Sequence, residues 1–84
     1  DRRQRQMCKE TGYIIELKYA KYKDSESRVE ELRLEGIAQA NRYADSDRVK
    51  NAVGTTQLHK IVVVYKGMEM RVCEEIVPLH ETYN

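Results

Sequence analysis

The chain has 84 residues, 40% of them hydrophobic and 35% charged, with 15 Lys and Arg against 14 Asp and Glu. That length holds one small domain with a single core, and the composition suits a folded chain rather than a disordered one. Charges this evenly balanced create no global field for a polyanionic partner, and no apolar run reaches the length of a membrane span or forms the core of a signal peptide.

The opening "DRRQRQ" is locally basic through Arg2, Arg3 and Arg5 and reads as a solvated chain end. Residues 1–11 show no periodic apolar pattern, so an irregular lead-in is expected before a core over residues 12–77 of a single domain, 1–84. Gly12 then opens a strand from Tyr13 to Ala20 within "GYIIELKY". The polar linker "KYKDSES" follows, where Asp24, Ser25 or Ser27 can cap a helix; Ser27 adds Glu30 three residues on, a capping box.

A helix is predicted from about Ser27 to Asp45. Val29, Leu32, Gly36, Ile37, Ala40, Tyr43 and Ala44 recur at three- and four-residue intervals and build one buried stripe, with small residues at 36 and 40 allowing close approach. Leu34 falls on the opposite side. A short second helix, Asp47 to Val53, ends at Gly54 in a left-handed conformation. "LHKIVVVY" is a nearly unbroken apolar run, which points to a strand covered on both faces. "KG" at 66 and 67 makes a two-residue turn, "MEMRVCEEIV" returns as a partner strand, and Pro78 ends it. The order strand, helix, short helix, strand, strand gives an α/β domain with a mixed sheet and helices packed against it.

Cys8 and Cys73 do not make a disulfide framework, and Cys8, Cys73, His59 and His80 lack zinc-ligand spacing. A cytoplasmic protein with reduced thiols is expected.

The strand at 13–20 carries the chemistry of interest. Side chains alternate faces, so Tyr13, Ile15, Leu17 and Tyr19 share one side and Ile14, Glu16 and Lys18 the other. The first side is wholly apolar and is expected to look into the core. The second puts a carboxylate and an amine two residues apart. Two readings of that pair stand open. A solvated sheet face would carry such charges with little energetic consequence. A phosphodiester hydrolase site would use the carboxylate on a stiff strand to hold a hard cation, and the amine to orient a water or neutralise charge on the phosphate.

"GYIIELKY", the charged helix carrying "QANRYADSDRV", and the hairpin "LHKIVVVYKGMEMRVCEEI" together resemble the PD-(D/E)XK nuclease superfamily over roughly residues 12–76. The nearest likeness is to the nuclease-like domain found C-terminal to an AAA-ATPase-like domain in many Bacteroides-type bacterial proteins. The resemblance implies a restriction-endonuclease-like sheet and a metal-dependent nuclease acting on DNA or RNA. It makes Glu16 a ligand for Mg or Mn and Lys18 a catalytic, water-orienting or charge-stabilising group. Gln39 and Tyr43 match a Q-x-x-x-Y helix pattern whose residues support the site or approach the substrate.

The chain departs from the family's pattern in one respect. The family places a further Asp in an apolar run before the E-x-K strand, and no such run precedes Gly12. Asp1 has a tolerable separation but no strand pattern around it, and is not assigned as that ligand. The family's first helix and first strand have no counterpart either, so the chain reads as the C-terminal part of a longer nuclease-like domain. One carboxylate holds a divalent cation weakly, which makes an inactive fragment the expectation. The alternative is a non-catalytic binding or regulatory module that kept the fold. An adjoining ATPase domain and a second copy paired along an uncovered sheet edge are the expected protein partners, with no membrane.

Overall fold

The computed structural model describes residues 4–8, 12–54 and 57–77. The expectations placed on Asp1, Pro78 and His80 lie outside these residues. The elements are β1 (Gln4–Cys8), β2 (Tyr13–Ala20), α1 (Glu26–Ala44), α2 (Asp47–Val53), β3 (His59–Lys66) and β4 (Glu69–Glu75).

One four-stranded sheet runs in the order β1-β2-β3-β4. β1 is antiparallel to β2, β2 is parallel to β3, and β3 is antiparallel to β4. The parallel pair requires a crossover, which α1 and α2 supply. The α/β class and mixed sheet agree with the sequence reading.

β1 corrects it. A strand stands at Gln4–Cys8, where an irregular lead-in was expected. Its register sets Arg5 opposite Glu16 and Met7 opposite Ile14. The strand is held through backbone pairing to β2, which needs no apolar run, and only alternate side chains turn toward the helices.

α1 starts one residue before the expected Ser27. Its N-cap is Ser25, whose side chain accepts from the Arg28 amide. Ser27 instead shares a hydrogen bond with Ser25. The buried residues Val29, Leu32, Gly36, Ala40 and Ala44 are those of the expected stripe, and Leu34 is exposed. α2 has its expected bounds, capped by Ser46. Gly54 takes φ +60° and ψ −123°, a positive-φ conformation outside the left-handed helical well and open chiefly to glycine. The β3–β4 turn is Gly67–Met68, one residue later than expected, with Gly67 donating its amide to the Ala20 carbonyl.

Both helices lie on one face of the sheet. Val29 and Leu32 pack with Ala20, Val62 and Val64. Ala44 and Val49 pack with Ile14, joined by Met7, Tyr43, Val53 and Leu58. The covered face of β2 is therefore Ile14, Glu16, Lys18 and Ala20, all buried. This reverses the expectation that Tyr13, Ile15, Leu17 and Tyr19 look into the core. β3 buries Val62, Val63 and Val64 in succession, so its centre is shielded on both sides as expected. Among the described residues no helix packs against the side bearing Ile15, Leu17, Tyr19, Ile61, Val63 and Tyr65. The thinnest dimension is 17 Å, room for one sheet and one helix layer, since a helix with side chains is about 10–12 Å across. No helix among the described residues is long and apolar enough to cross a membrane.

Candidate functional site

β2 is an inner strand, flanked by β1 and β3, so its side chains are mounted on a backbone held from both sides. Glu16 is 0% and Lys18 5% exposed. Burying an ion costs several kcal/mol unless it is paired and hydrogen-bonded. The partners of each charge therefore define the site.

Glu16 turns toward β1. Arg5 donates from Nε to Oε1 at 2.8 Å and from Nη2 to Oε2 at 3.3 Å. A guanidinium matches a carboxylate with two parallel donors, the strongest form of this pair. The same guanidinium lies over the Tyr43 ring, 4.3 Å from its centroid, within range of a cation–π contact. Glu16, Arg5 and Tyr43 thus form one stack running from β2 through β1 to α1.

Lys18 turns toward α1, with Nζ 3.9 Å from Glu35 Oε1. Its stem runs under the helix, and a Cβ placed on Gly36 would meet Lys18 Cγ at 3.6 Å. Gly36 is thus the gap through which the lysine passes from strand to helix edge. Gln39 lies one helical turn before Tyr43, on the same side of α1. Its Oε1 is buried and has no hydrogen-bond partner among the described residues. A buried amide oxygen without a donor is uncommon in a native fold and invites a reason beyond packing.

The structure therefore buries the Glu16–Lys18 pair, brings Tyr43 to Glu16 through Arg5, and leaves Gln39 as an unpaired acceptor on the adjoining turn. The solvated-face reading of the pair does not survive this burial. Sequence reasoning missed Arg5, which it placed in a solvated end. A signal was present: Arg5 and Met7 sit two apart, and Gly12, with φ +75°, lies between them and β2. A hairpin there makes Arg5 the cross-strand neighbour of Glu16.

A groove of about 910 Å³ lies elsewhere, lined by Tyr22, Lys66, Gly67, Met68, Glu69 and Arg71. It belongs to the end of the sheet beyond Lys18, and none of the four site candidates lines it.

A mixed sheet backed by helices, with a carboxylate and an amine two residues apart on an inner strand, accords with a restriction-endonuclease-like α/β architecture. Residues 3–75 match the PD-(D/E)XK nuclease superfamily, and the chain belongs to it. No curated protein and no solved structure matches the chain.

Nucleases of this superfamily generally use divalent metals. The donor set described here does not fit such an ion. Glu16 brings one carboxylate, and Arg5 holds both of its oxygens. Among the described residues no group of three or more His, Cys, Asp or Glu is placed to hold a metal, whereas hard cations take six or more oxygen ligands, several from protein.

Proposed function

We propose that the chain is a nuclease-type module of a protein that hydrolyses phosphodiester bonds in DNA or RNA with the help of Mg or Mn, with Glu16 and Lys18 at the reacting centre. One observation carries the reading: a carboxylate and an amine are buried under α1, on a face where Val62 and Val64 fill the neighbouring strand with apolar side chains. Packing alone gives no reason for two charges there, because well-packed apolar residues of similar volume are usually at least as stable. Tyr43 fits a supporting role through Arg5, and Gln39, one turn before it on the same side of α1, fits a supporting role as well.

The test is cleavage of DNA and RNA by the full-length protein with Mg or Mn, and with excess chelator. Glu16→Gln and Lys18→Met each lower the rate by at least about a hundredfold. Cleavage that persists in chelator, or in both variants, refutes the assignment.

A second reading has its own observation, the Arg5 guanidinium on Glu16. It makes the chain a non-catalytic binding or regulatory module in a cytoplasmic protein, partnered by an adjoining ATPase domain or by a second copy. That reading predicts no rise in melting temperature on adding Mg or Mn, since a ligand specific for the folded state raises it. Sedimentation of the chain over a range of concentrations tests the dimer.

A further inference from the structure

We infer that the groove at the end of the sheet beyond Lys18 binds single-stranded nucleic acid, with Tyr22 stacking on a base and Lys66 donating to the adjoining phosphate. The choice of ligand rests on the reading above that the protein acts on nucleic acid.

The groove is built where two turns meet. In the turn after β2, the Asp24 amide donates to the Lys21 carbonyl at 3.0 Å, and the Asp24 side chain accepts from the Lys21 amide at 2.8 Å. Tyr22 lies inside this pinned turn and is 80% exposed. The β3–β4 turn is tied to β2 by the Gly67 amide, 3.0 Å from the Ala20 carbonyl. A Cβ on Gly67 would meet Tyr22 Cβ at 3.4 Å and Cδ1 at 3.5 Å, so bare glycine backs the inner edge of the ring. The Tyr13–His59 and Tyr19–Tyr65 rings stack in pairs, whereas no described ring stacks on Tyr22. Met68, 98% exposed, forms a second apolar rim. The groove, about 910 Å³, is large enough for a nucleotide-sized ligand.

Its charges suit a phosphate. By alternation Lys66 shares the side of β3 that carries Val62 and Val64, the side to which Glu16 and Lys18 belong. Its ammonium has three donors, one of them on Glu26 at 3.0 Å. Arg71 is answered by Glu26 and by Glu69. The positive surplus therefore comes from Lys21 and Lys23, both exposed and flanking Tyr22, with Asp24 between them and α1. That surplus is small, so the stack carries most of the affinity. Stacking also sets the preference, because a paired base offers a ring only its edge, whereas every unpaired base has a free face. Tyr22 is four residues beyond Lys18, at most about 14 Å along the chain, so one strand can span both.

Fluorescence anisotropy tests this with a short labelled oligothymidylate and with the same strand in a duplex. The chain binds the single strand at least about fivefold more tightly than the duplex, and Tyr22→Ala weakens single-strand binding at least about fivefold. Tyr22→Phe keeps the affinity, and Lys66→Gln lowers its salt slope by about 0.7. Equal affinity for duplex, no binding, or an unchanged affinity in Tyr22→Ala overturns the inference. So does oligoglutamate of the same length binding as tightly, since charge alone would then explain it. Both Tyr22 variants keep the fold, because the ring already stands in solvent, and their melting curves check this.

Cleavage assays keep the groove separate from the nuclease reading. A chain that binds the single strand through Tyr22 while the full-length protein cuts nothing with Mg or Mn upholds the groove and refutes the nuclease. Cleavage that needs Glu16 and Lys18, by a protein whose Tyr22→Ala variant binds single strands as wild type does, upholds the nuclease and refutes the groove.

Discussion

Gly36 packs α1 tightly against the sheet. A Cβ there would stand 2.5 Å from Val62 Cγ2, and Val62 is β-branched and fully buried, with no flexible end to move aside. Gly36→Ala gains about 1 kcal/mol in helix propensity but incurs an overpacking cost of about 1–3 kcal/mol. The expected outcome is a net loss of up to about 2 kcal/mol in urea unfolding. Val62→Ala should then cost less in the Gly36→Ala background than in wild type, because it returns the room that the new methyl needs. Arg5 and Glu16 predict a coupling of the same kind. Arg5→Ala strands a buried carboxylate at a cost of about 3–5 kcal/mol, a large share of the roughly 5–15 kcal/mol that holds a domain together. Arg5→Met with Glu16→Leu removes both charges, and it is expected to melt above either single variant. A double variant no more stable than Arg5→Ala alone would mean that the pair is not the source of the cost.

α1 was legible because its buried residues, Val29 to Ala44, repeat at helical spacing over about four turns, and each lies on the stripe the sequence marks. β1 was not, because Met7 is the one aliphatic side chain it turns toward the helices and its pairing to β2 is a backbone matter. The start of α1 adds a prediction at this scale. Glu26, in the first turn, holds the β3–β4 hairpin to the helix through Arg71 and Lys66. Hydrogen bonds from Arg71 first and Lys66 next lower its pKa below the ordinary 4.5. The folded-state value lies below the unfolded one, so the stabilisation is present above pH 4.5 and is lost as pH falls through the lowered value. Wild type should therefore melt higher than Glu26→Gln at pH 7, and the gap should close as the pH is taken down through that range. Because these groups are exposed, added salt should narrow the gap at pH 7 as well. A gap that widens on acidification would contradict the pairing.

Strand alternation identified which residues of β2 share a side, but not which side the crossover would cover. The apolar set of Tyr13, Ile15, Leu17 and Tyr19 looked like the core by local hydrophobicity. Yet α1 and α2 lie over Ile14, Glu16, Lys18 and Ala20. That choice is made by a helix whose contact stripe is rich in Gly and Ala and can close over a lysine stem, a property of two distant segments together. The candidate site suffered the same limit. Glu16 and Lys18 could be picked out in the sequence, but their burial and the hand Arg5 lays on Glu16 belong to the assembled sheet. The arrangement leaves Ile15, Leu17, Tyr19, Ile61 and Tyr65 half-buried around the buried Val63, side by side across the parallel pair β2–β3. Apolar side chains grouped on a helix-free sheet face give a hydrophobic probe a place to bind. The chain should therefore enhance the fluorescence of an apolar dye at neutral pH while fully folded. Ile15→Lys with Ile61→Lys should remove most of that signal with a small change in melting temperature, because both side chains already reach solvent. Ile14→Lys, 0% exposed under the helices, should unfold the chain. If the positions exchanged behaviour, with Ile14→Lys folded and the 15/61 pair unfolded, the helices would lie on the other face. Glu16 and Lys18 would then be surface charges with no claim to a site.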